Sequence, residues 1–147
     1  MAEEYWQNVV CFVYFWGYTC IYKIIYSKDV ANISEDAVIE WEGDSEEMLR
    51  SFPMDIKRTL GFSLRRIQQG KLPVCDSRSM PSIGQGVWEL KESDQRSWYR
   101  VIYLAKIRDT IHVLHAFEKD SRKTDRRDIT TAKARFKAVQ ARLKGGR

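Results

Sequence analysis

From residue 37 onward the alternation of apolar and polar positions changes period several times, and each change marks an element. Residues 37–41, Ala-Val-Ile-Glu-Trp, bring β-branched and aromatic side chains up to Gly43-Asp44 and predict a short first strand. Asp44 followed by Glu47 resembles a capping arrangement. Met48 and Leu49 give the next turn an apolar side, so a short helix is expected before Ser51-Phe52-Pro53 interrupts it. Pro53 suits the first turn of a second helix. There Ile56, Leu60, Leu64 and Ile67 recur every three or four residues up to Gly70, with Phe52 and Phe62 expected to cover the ends of the stripe. The other face of this helical hairpin carries Lys57, Arg58, Arg65 and Arg66, in the simplest view a solvated surface.

Residues 70–86 contain Gly70, Pro73, Pro81, Gly84 and Gly86 and predict a long loop. Three strands should follow at 86–91, 98–106 and 110–117, rich in Val, Ile, Trp and Tyr. The connections between them are short enough to force antiparallel neighbours. The last, Ile111-His-Val-Leu-His-Ala-Phe117, has few polar residues on either face and belongs in the sheet interior. From Asp125, the positions Ile129, Ala132, Phe136, Val139 and Leu143 step 3, 4, 3, 4 along one helical face. The rest of that helix carries Arg126, Arg127, Lys133, Arg135, Lys137, Arg142 and Lys144. The expected order is β-α-α-β-β-β-α, an α+β domain whose small, antiparallel-rich sheet is covered on one side by helices and ends in a basic C-terminal helix.

Residues 1–30 read differently. Nine of the chain's eighteen aromatic residues lie between Tyr5 and Tyr26, and the run 9–26 holds one charged residue, Lys23. The segment is borderline in length for a membrane span and lacks the positive start of a secretory signal. Three readings stay open: a marginal membrane anchor, an extra element packed on the domain, or a translated upstream stretch that the working protein does not carry. The last is favoured because 31–147 looks complete as a domain. A membrane becomes a partner only if the segment is real and inserted. Three cysteines cannot all pair internally, so a reducing cytoplasm is the simplest compartment. The net charge is +5, yet residues 119–147 alone hold eleven basic and three acidic side chains. Charge concentrated on one terminal segment points to a polyanion, most often nucleic acid.

Conventional catalytic sets are scarce. His112 and His115, three apart on a strand, should face opposite sides and cannot share a metal. Cys75 has no sequence-local base. Ile83-Gly-Gln-Gly86 precedes a strand, whereas a phosphate-cradling glycine turn opens a helix, so no nucleotide cofactor is indicated. Cations beside the sheet are the remaining chemistry. Arg100 sits in the apolar run Trp98-Tyr-Arg-Val-Ile-Tyr-Leu104 and needs either an open cleft or an ion pair, for example with Glu89. Lys119, Arg122 and Lys123 lie in the loop before the basic helix and could converge with Arg100 or Lys91. Such a cluster could orient an RNA 2′-hydroxyl and stabilise charge on the scissile phosphate with no metal or cofactor, or simply bind phosphate. Arg126 and Arg127 are further candidate RNA contacts.

The segments Ser82-Ile-Gly-Gln-Gly-Val-Trp-Glu-Leu-Lys91, Tyr99-Arg-Val-Ile-Tyr103 and Val113-Leu-His-Ala-Phe-Glu-Lys-Asp-Ser-Arg-Lys-Thr124, with Ile39-Glu-Trp and Phe52-Pro53, resemble the HigB-like, phage-derived branch of the RelE/ParE toxin superfamily. The likeness runs roughly from residue 38 to 144 and leaves out the first 30. It implies a RelE-like fold and the toxin of a type II toxin-antitoxin pair. The implied activity is that of a ribosome-dependent endoribonuclease, an mRNA interferase, neutralised by a cognate antitoxin that is often a helix-turn-helix protein. By position, Arg100 matches the strand arginine that contacts the scissile phosphate. Lys119, Arg122 and Lys123 match the region of the other cations, and Lys91 a supporting contact. Asp120 departs from a usually basic position, and no C-terminal tyrosine stands ready to stack on a base, which leaves open whether Tyr99 and Tyr103 substitute for it. Two other functions compete: a ParE-like protein-binding poison of DNA gyrase, and an inactive copy that binds only antitoxin. For the antitoxin, the helical hairpin and the basic terminal helix are both possible docking surfaces.

Overall fold

A computed structural model describes residues 36–120 and 125–145. The readings of residues 1–30, and of Arg122 and Lys123, lie outside the described residues. The first strand, β1 (Val38–Trp41), is followed by α1 (Ser45–Ser51) and α2 (Met54–Gln68). Four strands come next, β2 (Asp76–Ser79), β3 (Val87–Ser93), β4 (Trp98–Ile107) and β5 (Thr110–Lys119), and then α3 (Arg126–Gly145). The class is α+β, as expected. The sheet has order β1-β5-β4-β3-β2, antiparallel except where β1 runs parallel to β5, and β5 is interior.

Four features of the fold differ from those that the periodicity predicts. Strand β2 lies within the stretch read as a loop. Its residues, Asp-Ser-Arg-Ser, carry no apolar signal, and it exists because its backbone pairs with β3 from Asp76↔Lys91 to Ser79↔Trp88. Helices cover both faces rather than one. Leu49, Ile56, Leu60 and Leu64 of α1 and α2 pack on Leu90, Tyr99, Val101 and Val113, whereas Ala132, Phe136 and Val139 of α3 pack on the intervening Val87, Ile102, Leu104 and Leu114. Strand alternation makes two cores of one sheet. Phe62, expected over the stripe of α2, is exposed, while Phe52 is buried against Tyr99 at a ring separation of 5.0 Å. Asp44 does not cap α1 with its side chain and instead meets Arg135 of α3 at 2.6 Å.

That contact explains a local backbone choice. Gly43 has φ +60°, and a Cβ there would come within 2.6 Å of the Arg135 guanidinium. Ser45 then donates its Oγ hydrogen to the buried Val113 carbonyl at 3.0 Å, pinning α1 to β5. The β4–β5 hairpin turns through Arg108 (φ 48°) and Asp109 (φ 65°), the left-handed pair that a two-residue turn of matching twist demands. Between β3 and β4, Asp94 accepts from the backbone N–H groups of Arg96 and Ser97, which holds its carboxyl below the ordinary range.

Candidate functional site

Along β4 the side chains of Tyr99, Val101 and Tyr103 enter the core under α1 and α2, so Trp98 and Arg100 occupy the face on which α3 lies. Register decides what surrounds them. Lys91 of β3 stands directly opposite Arg100, Phe117 of β5 stands opposite on the other side, and Lys119 faces Trp98 one step further along. Lys91, Arg100 and Lys119 therefore share one face and one end of the sheet. Residues opposite one another across a ladder have Cβ atoms about 5 Å apart, and diagonal neighbours roughly 7–8 Å.

The ion pairs show how this charge is held. Arg100 is 1% exposed and donates from Nη1 to Oε1 of Glu89 at 3.0 Å, and Glu89 is itself 0% exposed. The other oxygen of Glu89 accepts from Nε of Arg78 on β2 at 2.6 Å. Lys91 meets Asp76 at 2.6 Å, and Lys119 meets Asp125 at 2.8 Å. Lys91 holds the Asp76 carboxyl below the usual carboxylate range. Of the two settings considered for Arg100, the geometry is that of the ion pair with Glu89. An arginine open to a phosphate is not what this conformation presents, because the guanidinium is turned to a buried carboxylate inside the sheet.

Arg126 and Arg127 are exposed at the start of α3 and, with Asp125, line an open pocket. Arg126, Lys133, Lys137 and Lys144, all exposed, fall seven, four and seven residues apart on one side of the helix and have no carboxylate partner among the described residues. Sequence reasoning missed Arg78 entirely, because the edge strand that presents it has no apolar alternation to reveal it.

The histidines correct another expectation. A register shift between Ile102 and Tyr103 puts one extra residue of β5 into the ladder at Leu114, and this bulge breaks the two-residue alternation. His115 consequently turns to α3, where its Nε2 lies 3.1 Å from Asp128 and its Nδ1 3.4 Å from Arg135. With both ring nitrogens engaged by α3 and the ring stacked on Phe117 at 5.1 Å, His115 fastens the helix to the sheet. His112 sits 2.9 Å from Glu40 and 3.2 Å from Glu42 through Nδ1, and the three are close enough to surround a cation. Arg142 of α3 already pairs with Glu42, so the set has its counter-charge, and Glu42 in turn raises the pKa of that guanidinium.

Burial pushes the Tyr99 hydroxyl up to about 12, assisted by its hydrogen bond to Asp94 at 3.0 Å, and burial, with the nearby Cys75 adding to it, does the same for Tyr103. Both lie among the core under α1 and α2. Neither substitutes for a base-stacking tyrosine on the cationic face.

No curated protein matches the chain. A family model, described as phage derived protein Gp49-like (DUF891), matches residues 47–137, which runs from α1 through the cationic end of the sheet and most of α3. With well over half of its length inside that match, the chain belongs to the Gp49-like family, a RelE/HigB-type toxin family.

Proposed function

We propose that this toxin cuts mRNA on the ribosome as an endoribonuclease of the HigB-like kind, held in check by an antitoxin. The single observation that carries the reading is that Lys91 and Lys119 stand at one end of one sheet face, on either side of Arg100. The unpartnered cations of α3 add a track for an RNA backbone. In the reaction the substrate's 2′-oxygen attacks the adjacent phosphorus, the bond to the 5′-oxygen breaks, and a cyclic phosphate and a 5′-hydroxyl result. Lys91 and Lys119 supply positive charge to the phosphate, and the amine of Lys119 serves the leaving oxygen. Arg100 acts from behind, as a positioning residue that fixes Glu89. Arg126 and Arg127 bind RNA at the mouth of α3.

The sealed state of Arg100 favours a second reading, a copy that retains antitoxin binding without cutting. For that partner the exposed apolar side chains separate the two surfaces. Met54 and Phe62 of α2 and Leu72 and Val74 of the loop beyond are exposed, whereas α3 exposes no large apolar residue among those described. The hairpin side is accordingly assigned to antitoxin and α3 to RNA.

Induction of the full chain, followed by mapping of mRNA 5′ ends, tests the proposal. Growth arrest with new 5′ ends that vanish in the Lys91→Ala, Lys119→Ala double variant is the expected result. Arrest with intact transcripts and an induced DNA-damage response would assign the chain to the gyrase-directed class instead. No arrest, with tight capture of the antitoxin, would leave the binding-only reading.

A further inference from the structure

The carboxylate that seals Arg100 also grips a second guanidinium, and that one is open to water. We propose that Arg78 and Lys91 form the solvent-facing phosphodiester site of this protein, with Asp76 as the built-in competitor that an RNA phosphate displaces. The inference deepens the RNA-directed function proposed above and rests on it.

Arg78 is opposite Glu89 and Asp76 is opposite Lys91 in the β2–β3 ladder. Cross-strand partners, and residues two apart on one strand, project from the same side of a sheet. All four side chains thus share a face with Arg100, which lies directly opposite Lys91 on the next strand. Arg78 and Lys91 are diagonal neighbours, near enough for a long side chain from each to close on one phosphate group.

Their surroundings differ in a way that suits the two roles. Arg78 is 49% exposed, yet its Nε is fixed at 2.6 Å on a carboxylate with no exposure at all. A guanidinium whose plane is set from behind by a buried anion loses less freedom on meeting a phosphate than a free surface arginine does. Glu89 cannot swing away to compensate, since Arg100 holds its other oxygen. Lys91 supplies a point charge beside this fork. Its partner Asp76 is 66% exposed, and an ion pair facing water is weak enough for a polyanion to break. Asp76 also places a negative charge where the phosphate must arrive, so it opposes binding as well as balancing Lys91.

The test measures the affinity of the full chain for a short fluorescein-labelled 2′-O-methyl RNA across a salt series. The modification removes the attacking hydroxyl and prevents cleavage. Arg78→Gln keeps a donor for Glu89 while deleting the charge, and it should weaken binding roughly tenfold at low salt and shrink the salt slope by about 0.7. Arg78→Lys should restore most of the slope, and Asp76→Asn should tighten binding severalfold. Melting curves check that each variant folds. If Arg78→Gln does not fold, the exposed Asp76→Asn change carries the test alone. A folded Arg78→Gln with the slope of the wild type, or an Asp76→Asn variant that binds no tighter, overturns the site while leaving the function standing. A wild-type chain that binds no RNA at any salt overturns both.

Discussion

Replacing Glu89 by Gln keeps the shape of the side chain and removes its charge, which isolates what that carboxylate does. In the native protein it is 0% exposed between Arg78 at 2.6 Å and Arg100 at 3.0 Å, and Arg100 is 1% exposed. After the change, Arg78 can turn to water at little cost because half of it is already there. Arg100 cannot, so a guanidinium stays buried against a neutral amide. Breaking a buried pair by removing one partner costs about 3–5 kcal/mol, and with the Arg78 share small the lower end applies, about 3 kcal/mol. For a domain near 100 residues this is a fall in Tm of roughly 12–24 °C. Urea titration followed by circular dichroism, with thermal melts alongside, measures it. The double change Glu89→Leu, Arg100→Met removes both charges and should recover to within about 1–2 kcal/mol of the wild type. A single Glu89→Gln variant within about 1 kcal/mol of wild type, or a double variant no better than the single, refutes the reasoning. The double variant also separates structure from function: a stable chain that still arrests growth would show that Arg100 touches no phosphate.

Three further outcomes follow from individual contacts. A Cβ at Gly84 would lie 2.2 Å from Cε1 of the buried Phe136, so Gly84→Ala should cost about 1–3 kcal/mol by overpacking, and Phe136→Leu in the same chain should return part of that in a urea midpoint. Arg108 and Asp109 both have positive φ, so Arg108→Asn with Asp109→Gly should raise stability by about 0.5–1 kcal/mol, read as a higher Tm. The hydrogen bond from Arg135 lowers the Asp44 pKa, so the pair stabilises the fold fully above the unfolded carboxylate value of about 3.9 and loses that contribution as pH falls through the lower folded value. Asp44→Asn should therefore melt below wild type from pH 7 down to about 5, and the two curves should meet as the pH approaches about 2; a gap that stays constant with pH would disprove the linkage.

Periodicity found the elements that bury apolar residues, because burial is what writes a period into a sequence. The stripe of Ile56, Leu60 and Leu64, and the one of Ala132, Phe136 and Val139, were legible for this reason, and so was the interior place of β5. Strand β2 was not, since an edge strand of Asp, Ser and Arg is specified by its neighbour's backbone rather than by its own side chains. Its loss hid Arg78. The bulge at Leu114 was equally silent, and without it His112 and His115 were assigned to opposite faces. Arg100 and Glu89 were legible as a possible pair, but composition cannot say whether a charged strand residue is sealed or open. That depends on what lies over it, and the cover comes from separate parts of the chain.

The distribution of paired and unpaired cations argues for a division of labour in any RNA complex. At the sheet end these four strand cations are paired with carboxylates: Arg100 and Arg78 share Glu89, Lys91 meets Asp76, and Lys119 meets Asp125. A polyanion gains little there until it displaces an exposed aspartate, so the local field is weak and the contact is selective in geometry. Along α3, Arg126, Lys133, Lys137 and Lys144 have no such partners among the described residues and act at long range. Capture should thus depend on the helix and registration on the sheet. Reversing Lys133 and Lys137 to Glu should slow association and flatten its salt dependence, with dissociation nearly unchanged, whereas Asp76→Asn should act on dissociation. Stopped-flow binding separates the two, and equal effects of both changes on the association rate would remove the distinction.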